Sequence, residues 1–169
     1  WWGGPRADWI LRDRRSDLQF NLLSDRILED LGDTIAERFA TDEDRVVEAT
    51  LLAHRLVIYS PTGCAFQKWL SPLASLRQGA TICSGFTFVE HAILSGIPRS
   101  DGVRGYRSFY QGAHNHTILM VEMPDGSRTI VDPTLGAFSY TRDHSRLATE
   151  EELFADPTLS TPAIVDREK

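Results

Sequence analysis

The chain has 169 residues, 41% of them hydrophobic, which is enough for one domain with a proper core and short for two. Its formal charge of -6 argues against nucleic acid, whose phosphates reward basic surfaces, and against an anionic membrane face. No apolar run approaches the roughly 18 residues of a membrane span, so the expected partner is a protein or a small molecule.

The opening WWGGPRADW has neither an initiator Met nor the basic-then-apolar layout of a signal peptide, and it reads as the start of an excised or processed chain. Residues 1–17 form a polar leader with mixed charges. Apolar residues then recur at Phe20, Leu23, Ile27, Leu31, Ile35 and Phe39, three or four apart, which predicts an amphipathic helix. Thr41 with Asp44 has the form of a capping box opening a second helix over 42–59, stopped by Pro61 and Gly63. His54, among Leu51, Leu52 and Val57, is expected to be a core or boundary residue. Residues 64–76 read as a short helix or irregular segment anchored by Trp69 and Leu70.

From Gly79 onward the residues begin to carry chemistry. Small and polar residues precede Cys83, and the apolar run FTFVEHAIL follows it, so a turn is expected to deliver Cys83 to the mouth of a buried helix ending at Gly96, with Pro98 beyond. A thiol there feels the positive end of the helix dipole, which favours thiolate. The second cysteine, Cys64, has no acid or base nearby in sequence and reads as a packed thiol. Bridging the two would consume the nucleophile, so both are expected to be reduced, in a reducing compartment or after delivery to one. His91, inside the helix, is expected to be structural. The connector after Pro98 has loop composition, GYRSFY reads as a strand, and Arg99, Arg104 and Arg107 make a modest basic spot, read first as a solvated face and second as a hold on an acidic substrate.

A hairpin follows. Pro124-Asp125-Gly126 separates two runs of β-formers, and a three-residue loop with Gly126 left-handed pairs Met123 with Ser127. Counting back, Asp132 falls opposite Ile118, which puts it diagonal to His116 on one face. Cys83, His116 and Asp132 then supply a nucleophile, a base to share its proton and a carboxylate to orient that base. His114 shares the face of His116 but lies further from Asp132, so His116 is the favoured base.

Taken together, a glycine-flanked Cys followed by Gly and an aromatic (CSGF), GIP at 96–98, Asn115-His116 opening a strand, and VDPT at 131–134 resemble the core motif of the transglutaminase-like superfamily. The resemblance covers about a third of the chain. It implies an α+β, papain-like fold in which the Cys helix packs on an antiparallel sheet carrying His and Asp. It further implies thiol-dependent acyl transfer or hydrolysis at an amide, without cofactor or metal. Papain-like enzymes draw an oxyanion donor from shortly before the cysteine, where this chain has Gln78; Gln67, Trp69 or a tyrosine are alternatives. Two departures stand out. Ile118 occupies a place often aromatic in the family, and Arg99-Ser100 follows GIP in place of Ala-Arg, leaving the acyl acceptor open.

The expected architecture is a single α+β domain over 1–169, closed by 135–169, with a short acidic helix over 149–155. The expected reaction is attack of Cys83 on a carboxamide, a protein or peptide glutamine, with water or an amine as acceptor, or proteolysis by the same fold. Two other classes remain: a metal site of His114, His116, Asp132 and Cys83, since His-x-His with a thiolate suits zinc, and a binding module of the same fold without chemistry.

Overall fold

The computed structural model describes residues 26–60, 72, 75–76, 79–113 and 115–160. The expected leader, Phe20 and Leu23 of the first helix, and Cys64, Gln67, Trp69, Gln78 and His114 lie outside these residues.

Helix α1 covers residues 26–38. Leu28, Leu31, Ile35 and Phe39 pack on the core while Ile27 is 61% exposed, so the buried stripe runs one residue to the side of the expected Ile27. The helix crosses the end of the later helix α3 (Cys83–Gly96) at backbone contact. A Cβ on Gly32 would sit 2.1 Å from the Gly96 carbonyl oxygen, and one on Gly96 would sit 2.4 Å from that of Leu28.

Helix α2 (Asp42–Leu56) begins with the hydroxyl of Thr41 accepting from the Asp44 N–H at 3.1 Å. The return half of the expected box is different, because the Thr41 hydroxyl itself donates to Asp44 Oδ2 at 2.8 Å. The helix stops at Leu56 rather than 59: Val57 is extended, and β1 (Ile58–Tyr59) pairs in parallel with β2 (Ala80–Thr81). Asp42 then receives the Ser100 N–H at 3.0 Å and the hydroxyls of Ser100 and Tyr106. Next to it Arg45 donates to the carbonyls of Phe39 at 2.8 Å and Pro98 at 3.1 Å. The start of α2 thereby holds the connector that follows GIP.

Helix α3 is apolar enough to be enclosed, with Phe86, Val89, Ile93 and Leu94 at 1% exposure or less. It packs between α2 and the strand β4 (His116–Glu122), central in an antiparallel sheet ordered β3 (Arg107–Ala113), β4, β5 (Arg128–Asp132), β6 (Ala137–Phe138). Alternation places Leu119 and Val121 of β4, and Thr129 and Val131 of β5, in the core. The architecture is α+β, helices packed on an antiparallel sheet.

The turn between β4 and β5 has the expected loop. Met123 N–H donates to Ser127 at 2.8 Å, Gly126 N–H donates back to Met123 at 3.0 Å, and Gly126 has φ 84°. Glu122 pairs with Arg128 and the ladder runs to Leu119 opposite Val131, a count that brings Ile118 opposite Asp132. After β6 the chain closes with α4 (Glu150–Ala155), capped by a full Thr149–Glu152 box, and a 3-10 turn, Pro157–Ser160.

Candidate active site

Cys83 is the first residue of α3, with Ile82 as an N-cap that offers no side-chain acceptor and no acidic residue in the first turn. The amides of that turn therefore keep their positive end toward the sulfur. Glycine at 85 is required by packing, since a Cβ there would lie 1.8 Å from Thr81 Oγ1, and Thr81 is buried. The turn between β2 and α3 can thus close tightly behind the cysteine.

His116 opens β4 and Asp132 ends β5, and the hairpin register brings them together: His116 Nε2 and Asp132 Oδ2 are 2.6 Å apart. The second oxygen of Asp132 accepts from the amides of Thr134 at 2.9 Å and Leu135 at 3.3 Å, so the carboxylate is aimed from behind by its own turn. That turn is in turn held from α2. His54 Nδ1 lies 3.2 Å from the carbonyl of Pro133 and 3.1 Å from that of Thr134, and only an Nδ1–H satisfies both acceptors. Gly136, at φ 61°, lies against the His54 ring, where a Cβ would come to 3.1 Å.

With Nε2 engaged by Asp132, the other ring nitrogen of His116 remains for the thiol, and each of the two groups shifts the other toward its charged form. Burial pushes the Cys83 thiol up, but the Thr117 amide, the His116 ring, the Thr117 hydroxyl and the Ser84 amide outweigh it and leave the pKa below its ordinary 9.0. Burial lowers the His116 pKa, yet the Asp132 bond and charge, with the Cys83 thiolate, carry it above 6.5. Both shifts favour the thiolate–imidazolium pair.

Thr117 was not singled out by the sequence. Its hydroxyl lies 3.9 Å from Cys83 Sγ, on the alternation that also buries Leu119 and Val121. A hydroxyl following the histidine of a strand was the available signal. His91 is as expected outside the site, with Nδ1 2.7 Å from Ser108 Oγ. The basic spot is internally neutralised: Arg99 bonds Asp101, Arg104 bonds Asp33 at 2.7 Å and Arg107 bonds Glu122 at 3.2 Å. Each arginine of that spot thus has a carboxylate partner among the described residues.

Among the described residues no group of three or more His, Cys, Asp or Glu is arranged to hold a metal ion, and His114, the fourth ligand of that reading, lies outside them. No described helix is long and apolar enough to cross a membrane. A cavity of about 600 Å³ lies at the far end of the hairpin, against Asp42, Glu43, Arg128 and Arg146, away from Cys83. Arg146 there is bonded to Glu152 at 2.5 Å and Arg128 is 3.7 Å from Glu150.

A solved structure described as that of a TGase is similar to this chain, with a TM-score of 0.47 and 15% identity, over 76% of this chain and 37% of that one. The match spans well under half the length of that protein. No family model and no curated protein matches the chain. At that level of likeness, what the residues can do rests on their own geometry.

Proposed function

We propose that the protein is a thiol-dependent acyltransferase or amidohydrolase acting on a carboxamide, with Cys83 as nucleophile, His116 as base and acid, and Asp132 as the group that orients His116. The observation that carries the reading is the 2.6 Å contact of His116 Nε2 with Asp132 Oδ2 beside a thiol whose pKa is lowered at a helix mouth.

The thiolate attacks the carbonyl carbon and forms a C–S bond. Negative charge moves to the carbonyl oxygen, where the amides at the start of α3 offer donors. The C–N bond then breaks, the His116 proton passes to the departing nitrogen, and a glutamine side chain loses that nitrogen as ammonia while its acyl group stays on Cys83 as a thioester. Water, deprotonated by the now neutral His116, gives the carboxylic acid; a primary amine gives a new amide; attack on a backbone amide would cut the chain. Asp132 keeps the ring in one tautomer and stabilises its charged form through both half-reactions. Gln78 is the residue proposed as an additional oxyanion donor by its place before Cys83.

The test is to incubate the protein with a glutamine-containing peptide, with and without a primary amine, and weigh the products. Conversion to glutamate, or to the amine conjugate, that depends on Cys83 and not on Cys64 is expected. Turnover that survives Cys83→Ala would overturn the thiol mechanism, and turnover abolished by a chelator and restored only by zinc would replace it with the metal reading.

A further inference from the structure

Glu90 lies two turns after Cys83 on α3, a spacing that puts both on one side of the helix. It has no solvent exposure. Its Oε1 lies 2.6 Å from Thr50 Oγ1 of α2, and that hydroxyl is also 3.0 Å from the carbonyl of Val46. A threonine hydroxyl has one hydrogen to give. With that hydrogen on the Val46 carbonyl, the contact to Glu90 takes a proton from the carboxyl, so the neutral acid can bond Thr50 while Thr50 bonds Val46. The ionised form could not, and it would leave Oε2, which has no partner among the described residues, as a bare anion in the core.

The groups facing Glu90 agree with a retained proton. From α2 comes the neutral Thr50. From the sheet the charge that acts on it is Asp132, whose field opposes a second negative charge. Its chain neighbour His91 is turned to Ser108 of β3 and is itself held toward the neutral form by burial. β2 contributes only Ala80 and Thr81. Burial pushes the Glu90 carboxyl up to about 8 and the Asp132 charge adds to it, while only a Thr50 hydroxyl turned to donate to the carboxyl would pull the other way.

Resting on the thiol mechanism above, we infer that Glu90 is a positioning residue: it holds its proton so that no second negative charge stands in the core behind the Asp132–His116 pair, and loss of that proton disables the site at alkaline pH. Its folded pKa lies above the ordinary 4.5, so the stability it contributes is complete below that pH and is lost as pH rises through about 8. Within that window each pH unit lowers the folding constant by up to tenfold.

The experiment follows the carboxyl carbon of Glu90 and the ring nitrogens of His116 by nuclear magnetic resonance across pH, in the wild-type chain and in Glu90→Gln, which keeps the size and a donor but cannot titrate. Glu90 is expected to titrate near pH 8, and the His116 signal to carry an inflection at the same pH that Glu90→Gln lacks. Coincident midpoints in the wild-type chain alone support the inference if the variant does not fold. A Glu90 midpoint in the ordinary carboxylate range, or a His116 profile that is the same in both proteins, overturns it. Coincident midpoints in a chain with no amide turnover would remove the proposed function and leave the Glu90–Asp132 coupling standing.

Discussion

Replacing Gly126 by Val sets two energies against each other. Gly126 has φ 84°, and a Cβ added there meets nothing within 4 Å, so the cost is conformational alone, about 1–2 kcal/mol for a side chain in the left-handed region. The chain could escape that strain by slipping β4 one residue against β5, which turns the slipped strand over. Slippage would carry Leu119 and Val121, both fully buried, out of the core. At roughly 1.5–3 kcal/mol per side chain that is about 3–6 kcal/mol, well above the strain it relieves. The register should therefore hold, Asp132 should stay on His116, and the protein should lose stability without losing its site. Denaturant titration is expected to show a lower midpoint with unchanged slope and a loss of about 1–2 kcal/mol, while the pH profile of Cys83 alkylation stays as in the wild type. An alkylation profile shifted to that of an ordinary thiol in a folded Gly126→Val protein would refute the reasoning, because it would mean that the turn and not the core sets the register.

At the α1–α3 crossing, Gly96→Ala should cost about 2 kcal/mol or more, since the new methyl meets backbone and not a movable side chain; a melting temperature equal to wild type would contradict the close contact. His54→Asn, whose amide can replace the Nδ1–H, should retain most of the turnover lost in His54→Ala, and equal losses in both would show that the ring and not the hydrogen bond matters. Because folding raises the His116 pKa, its bond to Asp132 favours folding most below pH 6.5 and less as pH rises through the folded value; His116→Ala should flatten stability over that range, and an unchanged slope would place the coupling elsewhere.

What the sequence made legible was local or counted along one chain. Thr41, Gly96 and Pro124-Asp125-Gly126 mark their boundaries through backbone preferences that act within a few residues, and counting from the turn was enough to place Asp132 near His116. The end of α2 was misplaced because β1 is fixed by Ala80–Thr81, a partner that no local pattern announces. Ile27 was assigned to the wrong side because a helix stripe is broad and the choice within it depends on what the helix meets, here the Gly96 backbone. Thr117, the His54 clamp and the Thr50–Glu90 pair were invisible for the same reason. Each is an ordinary residue until a strand and two helices bring their partners together.

In the proposed mechanism Cys83 carries the acyl group. The most direct measurement is to mix the protein with a glutamine-containing peptide, quench in acid within a turnover, and map the mass of the cysteine-bearing fragments. The expected adduct is peptide minus ammonia, joined through a thioester to Cys83, released by hydroxylamine and missing in Cys83→Ala. Turnover without any adduct on Cys83, continuing in Cys83→Ala, would contradict that mechanism.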